Sequence, residues 1–200
     1  MKEKMLFYTR FERFWHWAQA ILIIMLLLTG FAIHGGGSLM EFDSAVELHN
    51  TLAWLLMGLT AFAIFWHLTT GEWKQYTPTL EKAADVICYY TKDIFQGCEH
   101  PVEKRTDRKL NPLQRITYFS LKVFLFPFQI ITGLLYMYYN SLDGKVSLDT
   151  VAMLHTAGAF AFLAFLIIHV YLATTGETVS SHFKAMVTGW EEIEVEESSR

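Results

Sequence analysis

Eight histidines occur in the 200-residue chain, and six fall within or at the ends of long apolar stretches: His16, His34, His49, His67, His155 and His169. Strongly coordinating side chains at membrane depth are costly and by default mark function. The clearest case is residues 151–175, VAMLHTAGAFAFLAFLIIHVYLATT, which contain no Asp, Glu, Lys or Arg. Such a stretch is long enough to cross a bilayer as a helix. His155 and His169 lie 14 residues apart in it. That spacing is about 40° short of four full turns, so both imidazoles share one helix face, roughly 21 Å apart along the axis. Two imidazoles stacked in this way can each offer a nitrogen to a haem iron. The plainer reading is two histidines satisfied by neighbouring helices.

Bis-histidine ligation needs two imidazoles at matching depth on facing helices. His155 can pair with His49, and His169 with either His16 or His67. Two axial imidazoles give a six-coordinate iron suited to electron transfer rather than oxygen chemistry. Two matched pairs sharing one helix favour haem over the plainer reading. His67 lies 18 residues after His49, five full turns on, and so on the same face. It could be an alternative ligand, touch a haem propionate or relay protons; simple interfacial placement is a fourth role. Gly58, Gly133 and Gly158 sit inside apolar stretches, where they admit either a porphyrin or a neighbouring backbone. Trp15, Trp17, Trp54 and Trp66 read mainly as interfacial or lipid-facing belts.

The elements that must carry these residues are apolar helices. Hydrophobic side chains make up 52% of the chain and charged ones 18%, too apolar a balance for an ordinary soluble domain. Spans are expected near residues 14–33, 48–70, 116–139 and 151–175, in a single domain covering residues 1–200. The fold class is therefore all-α, an integral membrane four-helix bundle. Lys and Arg number 4 before the first span, 8 in residues 71–115 and 2 in the tail, against 1, Lys145, in the other connections. The positive-inside rule then puts both termini in the cytoplasm. Lys122 falls inside the third span, where it could pair with a propionate or snorkel to the surface; snorkelling is the preferred reading.

Residues 71–115 are expected to form a cytoplasmic loop with an amphipathic surface helix. Thr77 would be its N-cap and Pro78 its first residue, with Leu80, Ala84 and Ile87 on the apolar face and Cys88 beside them. Cys88 and Cys98 form no CxxCH motif, so covalent haem attachment is not expected. Cys98 with His100 is a poor metal site, and Cys98 reads as a reduced cytosolic thiol. No cleavable signal peptide is expected, since the first apolar run is too long and lacks a small-residue cleavage site. A weak internal repeat is visible. Spans two and four open LHN and LHT and close HLTTGE and HVYLATTGE, and spans one and three both carry Thr-Gly, at Thr29–Gly30 and Thr132–Gly133. A duplicated two-helix unit would explain it; so would composition.

RFERFWHWAQA…LTGF in the first span, LH in the second, KLNPLQRITYFS entering the third and H-x13-H in the fourth resemble the di-haem cytochrome b subunits of bacterial membrane oxidoreductases. These include the γ subunit of quinone-linked formate dehydrogenase, the cytochrome b of nickel–iron hydrogenases, the thiosulfate reductase anchor and cytochrome b561-like proteins. The likeness covers about residues 8–178. It implies two haem b groups, the outer on His49 and His155 and the inner on His16 and His169. It also implies a site for menaquinone or ubiquinone on the cytoplasmic side, with Asn111 and Gln114 in it.

By this resemblance the chain is a membrane anchor and electron-transfer subunit in the bacterial inner membrane. It would link the quinone pool to an external iron–sulfur subunit with its catalytic subunit, or to a multihaem cytochrome c. Substrate chemistry would then belong to another chain. Lipid and quinone are the other expected partners; nucleic acid is not one. A stand-alone superoxide:quinone oxidoreductase of the cytochrome b561 type is the alternative. Glu41, Asp43, Glu47, Asp143 and Asp149 on the outer segments, against Lys145 alone, disfavour an anionic substrate. A haem-free anchor or transporter is the third reading.

Overall fold

The computed structural model describes residues 2–35, 40–102, 109–142, 144–176 and 178–194. Four of its helices are long and apolar enough to cross a membrane. The first, α1, is Arg10–Ile33 and the second, α2, is Phe42–Thr70. The third span is continuous from Pro112 to Met137. It comprises α4 (Pro112–Ser120), a π-helical segment (Leu121–Leu125) and α5 (Phe126–Met137). The fourth is α6, Leu148–Ala173. A short α3, Ala83–Thr91, lies between the second and third spans. The expected four-helix membrane bundle is thus present.

Local chemistry sets the ends. Thr9 and Glu12 form a reciprocal capping box, with Glu12 N–H donating to Thr9 Oγ1 (3.3 Å) and Thr9 N–H to Glu12 Oε2 (2.7 Å). The box starts α1 a turn before the expected residue 14 by satisfying donors that have no intrahelical partner. The π-helical segment in the third span also has a cause. Pro127 has no N–H and cannot bond back into the helix. The ladder widens just before it, with Phe126 N–H donating five residues back to Leu121 O. A π-bulge of this kind places an extra residue in the turn, here the turn that carries Lys122.

The four spans form two antiparallel hairpins. In one, α1 packs along α2; in the other, α5 packs along α6. Between hairpins the Cα atoms of the described residues scarcely come within 8 Å. The hairpins meet instead through side chains. Leu121, Phe126 and Phe162 form a small core between α5 and α6, against which Ile23, Leu27 and Leu56 of the other hairpin pack.

Both termini lie at one end of the bundle. Strand β1 (Lys2–Leu6) pairs antiparallel with β2 (Trp190–Glu194), Leu6 opposite Trp190. Helix α7, Ser181–Thr188, leads into β2. Its last carbonyls are taken up by α1: Arg13 Nη1 donates to Val187 O (2.5 Å) and Trp17 Nε1 to Met186 O (3.2 Å). Phe7 and Tyr8 N–H both donate to Gly189 O, and Phe7 is buried.

The connection between spans two and three differs from expectation. Thr77 does not start a helix. It closes a 3-10 segment, Glu72–Tyr76, with its N–H on Lys74 O. The helix begins at Ala83, after Lys82 turns in the left-handed region at φ 57°. Ala83 and Val86 form its buried face, while Leu80, Ala84 and Ile87 are exposed. Cys88 and Cys98 are exposed free thiols. Asp143 lies outside the described residues.

Gly189 tests the terminal clamp. Its φ is +89°, and a Cβ there would stand 2.6 Å from Tyr8 O. Gly189→Ala therefore adds strain of about 1–3 kcal/mol. A lower Tm for the detergent-solubilised protein is the expected result, and an unchanged Tm would contradict the clamp.

Candidate functional site

The histidines are brought together in two pairs, each pair bridging the two hairpins. His49 of α2 faces His155 of α6, ring centroids 6.2 Å apart with an interplanar angle of 76°. His16 of α1 faces His169 of α6 at 6.0 Å and 50°. The second pair lies at the end of the bundle that carries the termini, the first at the far end.

His67 is not placed against His169. It is buried, and its Nδ1–H donates to Ala63 O in its own helix at 2.6 Å. Its ring is enclosed by Trp15, Trp66 and Tyr76, at 5.0, 5.1 and 5.3 Å. Of the two partners left open for His169, the structure thus brings up His16. His34 caps the end of α1 and lies 3.4 Å from Thr156 Oγ1.

The far-end pair rests in two matching cradles. Thr29 Oγ1 is 2.9 Å from His49 Nδ1, and Thr132 Oγ1 is 3.1 Å from His155 Nδ1. The glycine after each threonine leaves room for the ring. A Cβ on Gly30 would lie 3.4 Å from His49 Cε1, and one on Gly133 would lie 3.1 Å from His155 Cε1. Gly158 has a different neighbour, Gln129, whose Oε1 a Cβ would strike. Gly58 has nothing within 4 Å of its Cβ position. At the terminal end, His169 Nδ1 is 3.4 Å from Tyr118 OH, and Phe165 stacks on the His169 ring at 5.5 Å and 13°. His16 Nδ1 is buried without a hydrogen-bond partner.

This donor set fits a metal held between imidazoles. Rings with centroids 6.0 and 6.2 Å apart would leave room for one metal atom between them. Hairpins spaced apart at the backbone, with imidazoles paired across the gap, have the room and the donors that a haem held by histidines would need. One contact must give way. Gln129 Nε2 lies 3.3 Å from His155 Nε2 and also donates to His155 O at 3.2 Å. If His155 Nε2 were to hold a metal, the first of these contacts would be lost and the second could remain.

Lys122 does not snorkel. Its Nζ lies 3.1 Å from the Tyr76 ring centre and 4.8 Å from that of Trp15. The π-bulge turns it inward, where two aromatic faces attract the ammonium by about 0.5–2 kcal/mol each. Burial, then the Glu12 carboxylate, pushes the Tyr76 phenol up in pKa, so the ring under Lys122 stays neutral. Beside this cluster Lys109 Nζ bonds Glu12 Oε1 (2.7 Å) and approaches Glu72 Oε2 (3.7 Å). Trp15 and Trp17 are engaged with the protein rather than serving only as a lipid belt; Trp54 is half exposed.

Asn111 and Gln114 form a capping box at the start of α4. Gln114 N–H donates to Asn111 Oδ1 (2.8 Å) and Asn111 N–H to Gln114 Oε1 (3.0 Å). Pro112 between them takes the first helical position, where its missing N–H costs nothing. Asn111 Nδ2 also donates to Tyr90 OH at 3.3 Å. Burial and neighbouring Tyr89 push that phenol up, partly offset by the Asn111 bond.

Sequence reading missed Thr29 and Thr132 as neighbours of the histidines, along with Gln129, Tyr76 and Tyr118. The threonines did leave a signal, the Thr-Gly dipeptide shared by spans one and three. Its meaning needed the third dimension, since each dipeptide serves a histidine on the next helix.

Comparison with known proteins agrees with this geometry. Residues 7–189 match the family described as prokaryotic cytochrome b561. The chain is also 32% identical over 198 residues to the protein named "Putative cytochrome YdhU" of Escherichia coli (strain K12), covering 94% of this chain and 75% of that one. A four-span bundle with paired histidines, matched over nearly its whole length, belongs to the prokaryotic cytochrome b561 family.

Proposed function

We propose that this membrane cytochrome carries two b haems and passes electrons between an external redox partner and the quinone pool of the bacterial inner membrane. The observation that carries the reading is the pair of facing imidazoles at each end of one helix, His155 with His49 and His169 with His16. Family membership supports b-type haem; the repeated pairing supports two. When bound, haem would supply one-electron chemistry, held by these histidines.

This chain's residues do the rest. Each hairpin contributes one imidazole to each pair, so both ligand sets depend on the hairpins holding their spacing. The His155–His169 separation of roughly 21 Å along the helix puts one centre near each leaflet. The basic residues flanking the terminal end orient it to the cytoplasm, which makes His16–His169 the inner pair.

Quinone would be handled at that end, beside the entrance of the third span. Asn111 and Gln114 already spend their oxygens on each other's backbone N–H. The Gln114 amide NH2 is therefore the part suited to a quinone carbonyl. Lys109, Glu12 and Glu72 supply exchangeable protons nearby. The partner is an iron–sulfur subunit with a catalytic subunit, or a multihaem cytochrome c.

Pyridine haemochrome analysis should give two non-covalent b haems per chain. His16→Ala should remove one and leave the other, while His67→Ala keeps both. Loss of a haem on His67→Ala alone would reassign the inner ligand. For the quinone, Gln114→Leu should slow quinol-linked turnover by about 5- to 150-fold, the equivalent of about 1–3 kcal/mol for one partly buried bond. Both haems should stay bound and reducible by dithionite. Unchanged turnover together with a lower Tm would make Gln114 a helix cap only.

A further inference from the structure

The two threonines beside the far-end pair do more than fill space, and their own hydrogen bonds show how. A hydroxyl has one proton to donate and two lone pairs to accept with. Thr29 Oγ1 lies 2.8 Å from Met25 O, four residues back in its helix, and 3.2 Å from Leu26 O. Thr132 Oγ1 lies 2.9 Å from Phe128 O and 3.2 Å from Gln129 O. A carbonyl can only accept, so each hydroxyl proton is committed to its own helix. The remaining contact of each Oγ1, to His49 Nδ1 at 2.9 Å and to His155 Nδ1 at 3.1 Å, must then be one in which the threonine accepts. The proton of each imidazole is therefore on Nδ1, and Nε2 carries the lone pair. At His155 the neighbouring amide agrees, because Gln129 Nε2, a donor, faces Nε2 at 3.3 Å.

We infer that Thr29 and Thr132 are positioning residues that fix both far-end imidazoles as Nδ1–H tautomers, present their Nε2 lone pairs to the haem iron and lower that haem's reduction potential. The inference rests on the ligand assignment proposed above. Its physical basis is a chain, imidazole N–H to hydroxyl to peptide carbonyl, in which each bond polarises the next. Donation from Nδ1 makes Nε2 more basic. A more basic ligand favours the more positive, ferric iron over the ferrous. Among the described residues the terminal-end pair has no equivalent. His16 Nδ1 lacks a partner, and His169 Nδ1 has only Tyr118 OH at 3.4 Å. The protein thus pushes the potential of one haem down and leaves the other without this push, which favours electron passage from the far end toward the termini.

The test uses the intact, haem-loaded protein in detergent. Thr29→Val and Thr132→Val keep the side-chain shape and remove the acceptor. In spectroelectrochemical titration each should shift one haem to a more positive midpoint, the double variant should shift it further, and the second haem should not move. The low-spin ferric EPR signal of that same haem should change alone. Thr→Ser at either position keeps the hydroxyl and should restore both readouts. Loss of that haem in the valine variants with retention in the serine variants also supports the inference. Unchanged midpoints with two haems bound would overturn it, as would loss of haem in valine and serine variants alike. His49→Ala separates the two readings. If it retains both haems, the ligand assignment itself has failed, whatever the threonine variants do.

Discussion

An imidazole inside a membrane protein has two nitrogens and no water to satisfy them, and this structure is arranged around that constraint. A polar group left unpaired in an apolar medium costs several kcal/mol. At the far end the solution is complete on one side of each ring, with a threonine at Nδ1, and the two rings face each other across the hairpins with centroids 6.2 Å apart. Each histidine of a pair comes from a different hairpin, so the pairing also fixes how the hairpins face each other. Backbone packing does not do this, because close Cα approaches occur within hairpins and scarcely between them. The buried apolar core is correspondingly small.

The spans and the pairing of His49 with His155 were legible in the sequence. Charge-free runs of bilayer length leave few alternatives, and helical periodicity places His155 and His169 on one face. The choice between His16 and His67 was not legible from spacing, since both sit at the right depth. It turns on which way a ring leans, and His67 leans into Trp15, Trp66 and Tyr76 with its Nδ1–H returned to Ala63 O. Lys122 was misread for a related reason. Snorkelling assumes an unbroken helix with lipid around it. Pro127 forces a π-bulge one turn earlier than itself, and the bulge points Lys122 inward. The expected helix start at Thr77–Pro78 followed a sound local rule that the 3-10 segment before it overrode.

Beyond the bilayer the chain invests in holding its ends. Strands β1 and β2 tie the termini together, and Arg13 and Trp17 of α1 take the last carbonyls of α7. These contacts join the start of the first hairpin to the sequence following the second. They do so at the level of His16, which lies between Arg13 and Trp17 on α1. The terminal clamp therefore steadies the helix turn that carries His16, beside which the described residues provide no threonine cradle.

The duplicated appearance of the sequence takes on physical content at this point. In each hairpin the earlier helix supplies Thr-Gly and the later helix supplies the histidine that rests there: Thr29–Gly30 with His49, Thr132–Gly133 with His155. The two units then meet with their histidines facing. Only the far end keeps this equivalence. At the terminal end α6 still supplies a histidine, His169, but its partner His16 comes from α1 rather than from α2. The α2 residue at that depth is His67, withdrawn into an aromatic enclosure beside Lys122. A fully symmetric arrangement would make the two histidine pairs chemically equivalent. Taking one histidine from a different helix, without the threonine neighbour, makes the pairs unequal while the fold remains one repeated hairpin.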